Sequence, residues 1–338
     1  LLVEEGLLDF DTYLKVDRLV VSEDAQCVIR GYYRVGGACA VQLDGSLDIS
    51  TSDTPMLIAG LTGSGIFSAS NPSPLNLAPS EDCTFSGRFT GSLKFILDSS
   101  SSGRFTVGRA DTLAAALSVE AGNHLRFASG VGTFVVPRLT VPTGETVRLE
   151  DAAGQPVTLL AQNGMTLTGR ALTGSGQFAV SNKTTEATLT LGDGTTDAEL
   201  SDFGALGAYG KGKLVYQNAQ PLVQSAALVG NGAVSVGSPS AATAGVTLKD
   251  FRPSGGTTTL YAPLTIDGGD AVTAFPGFSL KAATTLTING GLIGWLRASA
   301  ADKNYRTIPV PCGLIFGSVA GAAVVQNGGW LYHDGTYN

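Results

Sequence analysis

Short runs in which apolar residues alternate with Ser, Thr or charged residues recur along the whole chain. Phe89-Thr90-Gly91-Ser92-Leu93-Lys94-Phe95-Ile96-Leu97, Thr146-Val147-Arg148-Leu149, Ala187-Thr188-Leu189-Thr190-Leu191 and Thr284-Thr285-Leu286-Thr287-Ile288 are the clearest. A period of two places the apolar set on one face of an extended strand and the polar set on the other. The runs are bounded by Gly, Asp and Asn corners such as Asp44-Gly45, Gly192-Asp193-Gly194 and Asn289-Gly290-Gly291. These residues tolerate positive φ or bond their own backbone, which a tight turn requires. Helical signal is thin: Asp111 to Leu117 and Gln220 to Leu228 are ambiguous, and Pro221 weakens the second. The most apolar window, Val310 to Val325, contains Pro311, Gly313, Gly317 and Gly321. It falls short of the roughly 20 residues a membrane-spanning helix needs, so it is predicted to form buried strands.

One unit returns almost letter for letter. Gly60-Leu61-Thr62-Gly63-Ser64-Gly65-Ile66-Phe67-Ser68 is matched by Ala171-Leu172-Thr173-Gly174-Ser175-Gly176-Gln177-Phe178-Ala179, with looser copies at Gly130-Val131-Gly132, Gly210-Lys211-Gly212 and Gly230-Asn231-Gly232. The first glycines at 63, 130, 174, 210 and 230 are separated by 67, 44, 36 and 20 residues. Those intervals are three, two, two and one units of about 20 residues, a rung length that suits a parallel β-helix of three short strands per turn. The predicted fold is all-β: a right-handed parallel β-helix (β-solenoid) with terminal capping segments. Residues 1–56 are expected to be an N-terminal cap and irregular first rungs, 57–290 the repeat region, and 291–338 a C-terminal cap or assembly segment.

The Leu-Thr-Gly-Ser-Gly-strand pattern at Leu61 to Gly65 and Leu172 to Gly176 resembles the autotransporter-associated β-strand repeats of bacterial surface proteins. Phe85-Ser86-Gly87, and Thr257-Thr258-Thr259-Leu260 before Pro263-Leu264-Thr265-Ile266, fit the same style. The resemblance covers about residues 57–290. It implies a right-handed parallel β-helix that is exported and displayed at the cell surface or released. The chain departs from the family in showing no translocator β-barrel pattern after the repeats.

Composition narrows the picture further. Only 14% of residues are charged while 43% are hydrophobic, which argues against disorder. A net charge of -7 with no dense Lys/Arg cluster argues against a nucleic-acid partner. The chain starts at Leu1 without a basic, signal-like segment, as expected of an exported product whose targeting segment has been removed. No cofactor and no metal site is expected, because Cys27, Cys39, Cys83 and Cys312 form no C-x-x-C pair and the calcium-binding nonapeptide is absent. Cys27 and Cys39 lie close enough in sequence to bridge adjacent strands in an oxidising compartment. Equally open is that all four cysteines are small buried hydrophobes.

No catalytic constellation emerges. His124 sits in a turn entering a strand, and His333 lies near the C-terminus. Asp193 with Asp197, Asp202, and Asp267 with Asp270 are the acids a polysaccharide lyase or glycosidase on this fold would use, but they lie in corner sequences that favour Asp for its turn chemistry. Trp295, Trp330, Tyr332 and Tyr337 gather near the C-terminus as a possible partner interface or sugar-stacking set. The expectation is therefore a non-enzymatic, extracellular or cell-surface bacterial protein, structural or adhesive, able to assemble end to end into filaments. Its partners would be itself or a host or matrix glycan or protein, with no nucleic acid and no membrane span. The alternatives are a β-helix lyase or glycoside hydrolase and a phage tail-spike or receptor-binding protein.

Overall fold

The short strands are joined by corners and pair in parallel with their counterparts one turn later. In the computed structural model the result is a parallel β-solenoid of about 11 turns, with 59% of the described residues in strands. The structure describes all residues except 11–15, 31–38, 50–55, 70–73, 92–93, 111–115, 242, 268–276, 281–284, 290–313, 317–321 and 327–338. The chain divides into two compact units, one of residues 1–161 with 174–176 and one of residues 162–173 with 177–338.

In the first unit the turns carry three strand faces. The first face pairs Arg18 with Ala40, Ala40 with Gly60, Cys83 with Phe105 and Phe105 with Leu125, at offsets of 22, 20, 22 and 20 residues. On the second, Cys27 pairs with Leu47, Leu47 with Phe67 and Phe67 with Phe89. On the third, Leu75 pairs with Phe95, Phe95 with Leu117 and Leu117 with Leu139. All these pairings are parallel, and the second and third columns and the Cys83–Phe105–Leu125 column are buried. Beside the exposed Arg18 and Ala40 it is the Leu19–Val41–Leu61 column that faces the core. The period-2 pattern therefore acts through stacking: an apolar residue at a given position in each coil covers the one before it. At roughly 25 cal/mol per Å² of apolar surface removed from water, the stacked columns supply the main favourable term.

The Gly-x-Gly units are the corners between the first and second faces. Ile66 N–H donates to Gly45 O at 2.8 Å, and Arg88 N–H donates to Gly65 O at 2.9 Å. The carbonyl of one corner glycine thus occupies the space where the next would carry a side chain. A Cβ at Gly65 would lie 2.1 Å from Gly45 O, and one at Gly87 would lie 2.0 Å from Gly65 O. The second unit repeats the device: a Cβ at Gly232 would lie 2.4 Å from Gly212 O, and one at Gly256 2.1 Å from Gly232 O.

In the second unit some corners do not interrupt the strand. Phe203–Tyr216 is one 14-residue strand whose Ala205–Ala208 portion pairs with Ala227–Gly230 and whose Lys213–Tyr216 portion pairs with Ala233–Val236. Gly210-Lys211-Gly212 is the bend between these portions. The third face runs through Leu222–Gln224, Val246–Leu248, Leu264–Ile266, Thr285–Asn289 and Ala322–Gln326. The ambiguous 220–228 stretch is thus two strands, Leu222–Gln224 and Ala227–Gly230.

Stacked strands occur in both terminal segments. Leu2–Val3 already pairs with Val20 and Val21, and Gly6–Phe10 pairs with Ala25–Ile29, so the acidic opening segment belongs to the first coil. At the other end Leu314–Phe316 and Ala322–Gln326 stack in parallel on the preceding strands. The pairing there joins Phe278 to Leu314, 36 residues on. The Gly130-Val131-Gly132 echo differs from the other corners. Both glycines take positive φ, but a Cβ at either meets nothing within 4 Å, so this is an open turn and not a packed corner.

Candidate functional site

Of the acids that a lyase reading would recruit, Asp193, Asp197 and Asp202 share the connection between the Leu172–Leu191 and Phe203–Tyr216 strands, while Asp267 lies in another coil. Each is engaged in turn, inter-coil or ion-pair contacts. Asp193 folds back on its own corner: its Oδ1 accepts from the Thr195 N–H at 2.8 Å, the Thr196 N–H at 2.6 Å and the Thr195 hydroxyl at 2.6 Å. These bonds hold its carboxyl below the usual carboxylate range, the Thr195 hydroxyl contributing most. Asp197 reaches the next coil, accepting from Ala219 N–H at 2.6 Å and Gln220 N–H at 3.1 Å. Asp202 pairs with Arg170, and Asp267 with Lys249. Asp270, His333 and the aromatic set Trp295, Trp330, Tyr332 and Tyr337 lie outside the described residues. His124 closes a short 3₁₀ turn, with Nδ1 2.8 Å from Gly103 O, and joins no acid–hydroxyl arrangement.

The same division of labour holds for acids the sequence did not single out. Asp151 accepts from the N–H groups of Gly130, Ala153 and Gln155, and Glu150 accepts from Ser175 N–H while pairing with Arg148. Both carboxyls are held low, chiefly by these backbone donors. Asp48 is the exception: burial pushes its carboxyl up. Among the described residues no group of three or more His, Cys, Asp or Glu side chains converges as a metal site, and no helix is long and apolar enough to cross a membrane.

Cys27 and Cys39 stand on different faces of the solenoid. Cys27 belongs to the Ala25–Ile29 strand, and Cys39 directly precedes Ala40–Leu43. Both are fully buried free thiols, as is the buried Cys83. Cys27 fills an apolar column slot beside Leu8 and Leu47. Burial, reinforced by the Asp9 charge, pushes its thiol up to about 11. Since only the thiolate reacts, Cys27, Cys39 and Cys83 are expected to resist maleimide at pH 8 in the native protein and to label on denaturation. Peptide mass spectrometry reads the sites. Native labelling of Cys27 as fast as in urea would contradict this packing.

The feature that alternation alone could not reveal is the edge of the first coil. Leu2–Val3 and Gly6–Phe10 each stand at the end of their sheet, with a hydrogen-bonded neighbour on one side. Leu1, Leu2 and Leu7 are exposed at 44%, 54% and 63%, and with Glu4 and Glu5 they line a shallow open pocket. The other exposed large apolar side chains among the described residues are Ile66, Val135 and Val223. A sequence pattern reports which face a residue takes, not whether another coil lies over it.

Comparison with known protein families, with curated proteins and with solved structures returns no match for this chain.

Proposed function

We propose that this chain is a non-enzymatic β-solenoid of the bacterial cell surface or extracellular matrix, structural or adhesive, that associates with further copies through the open edge of its first coil. The observation that carries the reading is the stack itself, about 11 coils held by parallel pairing of each strand with its counterpart one turn on. Exposed Leu2 and Leu7 lie on strands with one hydrogen-bonded neighbour each among the described residues. An unpaired parallel edge with apolar side chains is a template for another strand, and folds that avoid such pairing blunt their edges with charge or proline. Here Leu2 and Leu7 sit on the edge itself, with Glu4 and Glu5 beside them in the pocket and Asp9, on the same strand as Leu7, paired with Arg30. A heterologous contact of this kind propagates, giving filaments where the rotation does not close. The Gly-x-Gly repeat and its likeness to autotransporter-associated strands favour export to the surface. The engagement of the described corner acids in structural bonds favours a scaffold over an enzyme.

Light scattering across concentration, with electron microscopy of the same samples, tests this. The wild-type chain is expected to grow in mass with concentration and to form fibres of uniform width. Leu2→Lys with Leu7→Lys, which places ammonium groups on the edge, is expected to hold it at monomer mass with its circular dichroism unchanged. A wild-type chain that stays monomeric at every concentration would overturn the proposal.

A further inference from the structure

The first unit carries a row of arginines on the outer side of its first face. Phe105 pairs with Leu125 and Thr106 with Arg126, so Arg104 and Arg126 stand on adjacent coils, two residues apart in register. Arg148 ends the Val147–Arg148 strand, which packs on the 3₁₀ turn Gly122–His124 and extends the row to a third coil. Arg104 and Arg148 are exposed and Arg126 is half-buried. Adjacent coils are about 4.8 Å apart, which brings the guanidinium groups within mutual range.

The row is under-compensated. Arg148 is paired with Glu150. Among the described residues neither Arg104 nor Arg126 has a carboxylate ion pair: the Arg126 guanidinium donates to Leu125 O at 2.7 Å, and Asp82, which accepts the Arg104 backbone N–H at 2.8 Å, offsets the row only through its nearby charge. Burial, then the charges of Arg104 and Arg148, lowers the pKa of Arg126, so each cation makes the others less comfortable. In a chain of net charge -7, a clustered cationic row costs energy unless an anion neutralises it. Guanidinium forks match carboxylate and sulfate geometry bidentately. The column occupied by Arg126 runs through Thr84 and Thr106, whose pairing sets their side chains along the same outer line. That line offers hydroxyls beside cations.

We propose that Arg104, Arg126 and Arg148 form a docking strip for one strand of an acidic polysaccharide, whose carboxylate or sulfate groups sit between guanidiniums while Thr84 and Thr106 meet its hydroxyls. The strip runs from coil to coil, so it suits a linear polymer bearing charge at intervals better than a single small anion. It lies within the first unit and does not depend on association at the first-coil edge.

Binding of the full chain to immobilised heparin (sulfate), polygalacturonate (carboxylate) and neutral dextran, at low and high salt, provides the test. Retention on at least one acidic polymer but not on dextran is expected, with most of it lost at high salt as exposed charges are screened. Arg104→Gln and Arg126→Gln are each expected to weaken that binding on the order of ten-fold, the scale of losing one charge-assisted hydrogen-bonded contact. Arg126→Lys is expected to recover part of the loss, and Arg252→Gln, in the second unit, to change nothing. Circular dichroism and the unfolding midpoint of each variant separate lost binding from lost fold. Preference between heparin and polygalacturonate identifies the anionic group. The proposal is overturned by equal retention of wild type and folded Arg126→Gln, by loss with Arg252→Gln as large as with Arg126→Gln, by no retention on either acidic polymer, or by tighter binding to single-stranded nucleic acid than to either polysaccharide.

Discussion

Gly63→Ala is expected to destabilise the first unit by at least about 3 kcal/mol, whereas Gly130→Ala, in the same Gly-x-Gly motif, is expected to cost only about 1–2 kcal/mol. Both glycines adopt positive φ, +104° at Gly63 and +78° at Gly130, so both substitutions carry the strain of a left-handed backbone. They differ in space. A Cβ at Gly63 would lie 2.1 Å from Leu43 O and 2.6 Å from Leu43 C, while one at Gly130 meets nothing within 4 Å. Leu43 is the end of a strand whose ladder is fixed on both sides, since Val21 pairs with it and the Gly65 N–H donates to its carbonyl at 2.9 Å. The carbonyl cannot retreat without opening those bonds, so the clash adds to the strain. Urea midpoints of the two variants measure the contrast. Equal losses would mean that the corner is held by turn conformation alone and that close stacking of successive corners contributes nothing.

That contrast marks how far the sequence could be read. Recurrence near 20 residues and alternation in segments such as Ala187–Leu191 made parallel stacking legible. By contrast Phe89–Leu97, read as one strand, divides into Arg88–Gly91 on the second face and Lys94–Leu97 on the third. The sequence could not separate a packed corner from an open turn. Gly63-Ser64-Gly65 and Gly130-Val131-Gly132 share a motif, yet only the first places a carbonyl of the preceding coil under its glycine. Nor could it show that Phe203–Tyr216 bends through Gly210-Lys211-Gly212 without ending. A bend and a break need the same residue, and the difference lies in whether neighbouring coils supply partners on both sides.

Chemistry was less legible than shape for a related reason. Asp193, Asp197 and Asp151 have the composition of a site, but a solenoid corner demands acceptors for backbone N–H groups that the ladder leaves over. The observed bonds show these carboxylates meeting that demand. The arginine row escaped notice in the sequence because its members lie 22 residues apart, at 104, 126 and 148. In a linear reading they are isolated charges. Only the register of adjacent coils makes them neighbours, so in a repeat protein a surface must be sought at coil spacing.

The same nearest-neighbour logic sets the expected outcome for Phe89→Ala: a loss of about 3–5 kcal/mol, confined to the coils that touch the ring. Phe89 is fully buried, and its ring centroid lies 6.0 Å from Phe67, 5.2 Å from Phe85 and 5.0 Å from Phe95. Phe95 in turn lies 5.3 Å from Phe105. The stack joins all three faces of the first unit across successive coils, so deleting its centre removes ring contacts in every direction and leaves a cavity that stiff neighbouring ladders cannot close. In an array whose units contact mainly their neighbours, such damage spreads by opening adjacent interfaces rather than by global collapse. Hydrogen exchange should therefore show protection falling first in Ile66–Ala69, Arg88–Gly91 and Lys94–Leu97, while Val246–Leu248 in the second unit keeps its wild-type protection. Phe89→Leu, which retains most of the buried volume, should lose less in the same segments. Uniform loss of protection along the whole chain would instead make the coils one cooperative block, and the stability of any filament built from them would then answer to a single core residue.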